Sequence, residues 1–160
     1  FKELELLKDQ VVWGLCNIAG DSDEMRNKCL ERDLVMVCLR NLAGREVKII
    51  HLRNYLWLLS NLCRGKPFPS FEAVKACIPL FAESLTAFDD PEVLSYALFG
   101  LNYLSTDDDF QIMEVYKNLD LKCLIRLATD KTYPEIQVPA WRVIGNLLAG
   151  HTKIAEKLLE

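Results

Sequence analysis

The sequence predicts an all-α fold in which one helical unit recurs along the chain as a solenoid. Three observations carry that expectation. Apolar residues return at the three- and four-residue spacing of amphipathic helices, and no stretch keeps the strict alternation of a β-strand. The segments LCNIAG, LSNLCRG, LNYLST and IGNLLAG superimpose with Asn17, Asn61, Tyr103 and Asn146 in register. The steps between those positions are 44, 42 and 43 residues.

A period of roughly 40 to 47 residues belongs to helical solenoids of the armadillo or HEAT kind. The elements within a period choose between them. After Asn17 a GDSD turn lets Ser22 or Asp23 cap a short helix through Leu30. DLVMVCLRNLA then forms a medium helix and EVKIIHLRNYLWLLSNLC a long one. The next units punctuate in the same way: a GKPFPS loop after Arg64, Asp89 to Pro91 opening a helix toward Leu104, and Tyr133 to Pro134 opening the helix that carries Asn146. Three helices per repeat select the right-handed superhelical armadillo solenoid over HEAT. Residues 1–160 read as a single array of about four repeats, the terminal ones incomplete.

Composition narrows the function. A chain of 160 residues with 51% hydrophobic and 26% charged residues is that of a folded domain, not a disordered one. No apolar run approaches the ~20 residues that cross a bilayer, and the N-terminal FKELELLKDQ lacks the apolar core of a cleavable signal. Cys16, Cys29, Cys38, Cys63, Cys77 and Cys123 fall at apolar helical positions without CxxC or Cys/His ligand spacing. They read as reduced, buried thiols in cytosol or nucleus. A net charge of −4 and the want of a basic stripe exclude nucleic acid and favour cationic partners.

In an armadillo solenoid the third helices stack along one concave surface. Residues at i−3, i and i+4 share a helix face, so the stripes on the four third helices read Gln10, Trp13, Asn17; Asn54, Trp57, Asn61; Tyr96, Phe99, Tyr103; and Pro139, Arg142, Asn146. Glu92 begins the third of them. The opposite faces, Leu15 and Ile18, Leu59 and Leu62, Leu101 and Leu104, Ile144 and Leu147, are aliphatic and predicted to be buried. An Asn amide supplies one acceptor and two donors, so a row of them suits the backbone of an extended peptide. Slots between Trp rings suit the stem of a Lys or Arg, with a cation–π attraction of about 0.5 to 1 kcal/mol. Asp21, one turn past Asn17, is placed to meet an ammonium group.

Singly, each feature has a plainer account: a helical Trp packs, an Asn is a satisfied amide, GDSD is a turn. The recurrence of WxxxN at the repeat period lifts the binding reading above these. Trp141 lies one position off the stripe and is assigned to packing between repeats. His51 and His151 have no carboxylate or cysteine nearby in sequence, which leaves surface or packing roles. No nucleophile elbow, phosphate-binding loop, HExxH or paired ligand motif is present, so no catalytic residue, metal or cofactor is expected.

The segments VWGLCNIAGDS, LRNYLWLLSNLCRGK, DDPEVLSYALFGLNYLS and VPAWRVIGNLLAG resemble the armadillo repeats of importin α, the adaptor that carries nuclear localisation signals to importin β. The order, two WxxxN units, one ending in Tyr, one with Arg in place of Trp, is similar to the third to sixth repeats of that family. The resemblance implies a nuclear import adaptor that shuttles between cytoplasm and nucleus and binds Lys- and Arg-rich signals. It implies a major groove lined by Gln10, Trp13, Asn17, Asp21, Asn54, Trp57 and Asn61, continued by Glu92, Tyr96, Phe99 and Tyr103. Arg142 and Asn146 would begin the minor groove, and Asp21 would face the key lysine. The chain departs from the family at Tyr96, where an acid is usual, and at Phe99, where a Trp is usual. It also carries neither the basic importin-β-binding segment nor the acidic tail, and so reads as a fragment of a longer solenoid. A general armadillo scaffold is the competing class. Such scaffolds tend to present rows of Lys and Arg on their third helices, whereas this stripe holds Arg142 alone.

Overall fold

The structure, a computed structural model, describes residues 2–44, 47–106, 108–150, 154 and 156. The chain divides into two compact units, Phe1–Cys77 and Ile78–Glu160. His151, read above as a surface or packing residue, lies outside the described residues.

The first unit contains α1 (Lys2–Asp21), α2 (Asp23–Leu30), α3 (Leu34–Leu42), α4 (Ile49–Cys63), α5 (Phe71–Val74) and a 3₁₀ turn, Lys75–Cys77. Ser22 ends α1 and starts α2: it is extended, and its hydroxyl accepts from the Met25 N–H at 3.3 Å. The cap proposed from GDSD is therefore Ser22. Asp33 turns the chain into α3 with a positive φ of 58° and no side-chain cap. Thus α2, α3 and α4 are the short, medium and long helices of one repeat, and α1 is the third helix of the repeat before it.

α1 and α4 lie side by side and parallel. Cys16 Sγ donates to the Asn54 carbonyl at 3.3 Å, Asn61 Nδ2 to the Cys16 carbonyl at 3.0 Å, and Arg64 Nη2 to the Gly20 carbonyl at 3.1 Å. Residue numbers rise together along both helices. Val12, Cys16 and Ala19 of α1 and Leu52 and Leu56 of α4 are all buried. Full burial of a Val or Leu side chain contributes about 1.5 to 3 kcal/mol, so Val12, Leu52 and Leu56 add substantially to the cohesion of the unit.

Sequence reading missed a second tie. Arg26 of α2 is almost wholly buried, and its guanidinium donates to the Arg64 carbonyl at 2.5 Å, the Pro67 carbonyl at 3.0 Å and Asp23 Oδ1 at 3.1 Å. It fixes the chain leaving α4. Gly65, with φ +114°, is required there, because a Cβ would strike both Asp23 and Arg26.

The second unit contains α6 (Ile78–Ala87), α7 (Pro91–Leu104), α8 (Asp109–Asn118), α9 (Leu121–Thr129) and α10 (Pro134–Gly150). Aspartates start three of these helices. Asp90 accepts from Val93 N at 3.1 Å, Asp108 from Gln111 N at 2.9 Å, and Asp120 from Lys122 N at 2.9 Å. Each such cap contributes about 1 kcal/mol. α6 packs on α7 and α9, and α10 on α7 and α9. Phe81 of α6 is fully buried over Gly100 of α7, where any Cβ would overlap its ring. α8, α9 and α10, of 10, 9 and 17 residues, form a second three-helix repeat that again ends in its longest helix.

Candidate functional site

On α1 the stripe is open. Gln10 and Asn17 are exposed, and Trp13 keeps 53% of its surface in solvent. On α4 it sinks inward: Asn54 and Trp57 are half-buried, and Asn61 is only 8% exposed. The amides are therefore not one uniform row of groove-facing groups, as the sequence suggested. Asn17 Nδ2 turns back to the Trp13 carbonyl of its own helix at 3.0 Å, whereas Asn61 Nδ2 reaches the Cys16 carbonyl of α1. Each amide spends one donor on structure. A second N–H and the acceptor oxygen remain in its chemical repertoire.

Gly20 is what lets Asn61 in. A Cβ there would stand 3.0 Å from Asn61 Nδ2. The second unit repeats the device: Asn146 Nδ2 donates to the Asn102 carbonyl and to Asn102 Oδ1, both at 3.2 Å, and to Ser105 Oγ at 3.1 Å. Cys16 and Asn102 each lie one residue before the register position, so the two bonds are equivalent. Asn102 itself, 8% exposed, went unnoticed in sequence because Tyr103 occupies the register position.

Asp21 is the exposed last residue of α1, a helix whose final turn carries no basic residue. A carboxylate at this end faces the negative pole of the helix dipole and is stabilised by an incoming cation. Arg64, capping the Gly20 carbonyl beside it, is the local positive charge that the fold supplies. An open Trp ring, a half-buried Trp ring and a terminal carboxylate thus occur together on the α1–α4 pair.

The second unit carries its own stripe. Tyr96, Phe99 and Tyr103 on α7 are half-buried, and the Phe99 and Tyr103 rings stack with centroids 6.3 Å apart. Glu92 is exposed one turn earlier. On α10 Arg142 is exposed and Asn146 half-buried, while Pro139 is buried inside the helix and does not continue the stripe.

Three sequence expectations are corrected. Trp141, assigned above to packing between repeats, is 54% exposed. Ile18 is 47% exposed and Leu15 half-buried, whereas the equivalent Leu59 and Leu62, Leu101 and Leu104, and Ile144 and Leu147 are buried as expected. His51 does have a carboxylate partner: its Nδ1 pairs with Asp9 of α1. That pair lies 42 residues apart in sequence and is joined only by the parallel packing of α1 on α4. It borders a cavity of about 310 Å³ with Glu5, Lys8, Lys48 and Tyr55.

All six cysteines are buried and unpaired. Burial, then the neighbouring Cys38, pushes the Cys16 thiol up to about 12, and burial, then Cys77, does the same for Cys38. Cys63 is raised by burial and by its hydrogen bond with Cys77. Such thiols are inert as nucleophiles. Among the described residues no group of three or more His, Cys, Asp or Glu could hold a metal ion, and no helix is long and apolar enough to cross a membrane.

Over 94% of the chain the structure matches a designed armadillo repeat protein with a TM-score of 0.83 at 18% identity, covering 62% of that chain. A second designed armadillo repeat protein, solved in complex with the peptide (KR)4, matches 94% of this chain and 62% of its own with a TM-score of 0.81 at 18% identity. The chain is an all-α armadillo-repeat solenoid. Within that class its sequence is similar to the importin α subunits. It is 36% identical over 146 residues to importin subunit alpha-1b of Oryza sativa subsp. japonica, covering 91% of this chain and 27% of the relative. It is 42% identical over 106 residues to importin subunit alpha-B of Dictyostelium discoideum, covering 65% of this chain and 20% of the relative. The chain spans about a quarter of the length of the curated relatives it matches. No protein-family model matches it.

Proposed function

We propose that this chain is a cargo-binding part of a nuclear import adaptor, holding Lys- and Arg-rich localisation signals in extended form on the α1–α4 face. The single observation behind the proposal is the conjunction at that face of exposed Trp13, half-buried Trp57 and the helix-terminal carboxylate of Asp21. Gln10, Asn17, Asn54 and Asn61 bring polar groups to the same stripe. A lysine stem lies along the Trp rings while its ammonium reaches Asp21, and the amide groups hold the peptide backbone irrespective of sequence. The stripe of the second unit, Glu92, Tyr96, Phe99 and Tyr103 with Arg142 and Asn146, offers less negative charge and binds basic side chains with lower selectivity. The sequence kinship with importin α subunits supports the import role, and with it shuttling between cytoplasm and nucleus. Importin β is the partner of the longer protein. Neither metal nor cofactor enters this function.

Isothermal titration against basic, neutral and acidic peptides of equal length tests the reading. A monopartite Lys/Arg peptide should bind at least tenfold more tightly than the same peptide with its lysines replaced by alanine. Equal affinities, or preference for the acidic peptide, would leave the chain a general armadillo scaffold.

A further inference from the structure

Four of the six cysteines file through the core of the first unit: Cys16 lies beside Cys38, Cys38 beside Cys77, and Cys77 is hydrogen-bonded to Cys63. Their partners sort them. Cys16 spends its S–H on the Asn54 carbonyl at 3.3 Å, whereas Cys63 and Cys77 meet thiol to thiol. Close approach of two sulfurs, not CxxC spacing, is the geometric precondition for a disulfide. Cys63 closes α4 and Cys77 closes the 3₁₀ turn, fourteen residues further along the chain.

The chain between the two is lightly held. Of residues 64–76 Val74 is the one that is buried, and the Arg26 guanidinium holds the near end through the Arg64 and Pro67 carbonyls. A segment with so few buried apolar contacts opens at less than the free energy of global unfolding. Both sulfurs are buried while it is closed, Cys63 at 1% and Cys77 at 0% exposure, so a thiol reagent reaches them through that opening. Reclosure then returns the two sulfurs to contact.

We propose that Cys63 and Cys77 form a reversible oxidative cross-linking site, a thiol pair that a low-molecular-weight disulfide converts into an intramolecular bridge closing residues 63–77 into a ring with the fold intact. Glutathione disulfide is the oxidant. The thiolate of one cysteine attacks a glutathione sulfur, one glutathione thiolate leaves, and the second cysteine displaces the other glutathione from the mixed disulfide. Two protein thiols give up two electrons and two protons, and one glutathione disulfide becomes two molecules of glutathione. In reducing surroundings such a bridge is transient, a modification and not a structural bond. The site lies wholly within the first unit and is independent of the basic-peptide reading.

The whole chain, equilibrated in mixtures of reduced and oxidised glutathione without denaturant, is quenched with acid, alkylated in urea and digested with trypsin. Cleavage after Arg64 and Lys75 places Cys63 and Cys77 on separate peptides, apart from those of the other four cysteines. Mass spectrometry should find these two peptides joined, with Cys16, Cys29, Cys38 and Cys123 alkylated. The oxidised chain should keep its circular dichroism spectrum and melt about 6 to 12 °C higher, as closure of a fifteen-residue ring predicts, and dithiothreitol should reverse the gain. Cys77→Ala should leave the melting temperature unresponsive to the oxidant, whatever its starting value. A bridge through Cys16 or Cys38, a mixed disulfide left unresolved, joining only in urea, or an unchanged or lower melting temperature on oxidation would overturn the proposal.

Discussion

Asn17 and Asn61 are the same residue at the same repeat position, yet the structure gives them different duties. Asn61 crosses to the Cys16 carbonyl from a nearly dry position, whereas Asn17 satisfies itself on its own helix in contact with water. Leaving a buried polar group without its partner costs about 1 to 3 kcal/mol. Asn61→Ala should therefore lower unfolding free energy by about that amount in urea titration, while Asn17→Ala stays within roughly 0.5 kcal/mol of the parent, as surface changes usually do. Asn17→Ala should instead weaken basic-peptide binding. Asp21 separates binding from stability in the same manner. A charge-assisted hydrogen bond contributes about 1.5 to 3 kcal/mol, or roughly ten- to a hundredfold in affinity. Asp21→Lys adds repulsion to that loss, so titration calorimetry should show basic-peptide binding falling by at least tenfold with an unchanged circular dichroism spectrum. Parental affinity in that variant would take Asp21 out of the site.

At the scale of elements, helix type and punctuation were legible because each rests on local chemistry. Ser22 and Asp90 cap helices where their sequence context said they would, and Pro91 and Pro134 open α7 and α10. Repeat periodicity likewise exposed the Trp and Asn positions of α1 and α4. What stayed hidden depends on a partner far away in sequence. Asp9 finds His51, and Arg26 finds two carbonyls after α4, only when helices pack. Trp141 and Ile18, exposed where packing was expected, make the related point that a face's burial depends on what lies on it and not on its own helix. The buried thiols of the first unit yield a prediction at this scale. The pKa of Cys16 and of Cys38 is raised from 9.0 to about 12 in the folded chain. Above pH 9 the unfolded chain releases these protons while the folded chain keeps them. Stability is accordingly full below pH 9 and declines as pH rises toward 12, at about 1.4 kcal/mol per pH unit for each thiol once well above pH 9. Urea midpoints measured from pH 8 to 10.5 should fall, and Cys38→Ala should show a shallower decline than the parent, whatever its starting stability.

For the molecule as a whole, charge sets the ligand preference, and salt reads it out. The chain has a net charge of −4, and the basic-peptide face relies on the exposed carboxylate of Asp21. Screening shortens the reach of such charges from about 10 Å at 0.1 M salt to about 3 Å at 1 M. Affinity for a Lys/Arg peptide should therefore fall several-fold between about 0.1 M and 0.5 M sodium chloride. Asp21→Lys should flatten or invert that response in the same titration series. If affinity held constant across the series, or if Asp21→Lys kept the parental salt dependence, the charged contact would not be what selects the peptide, and the basic-peptide reading would have to be abandoned.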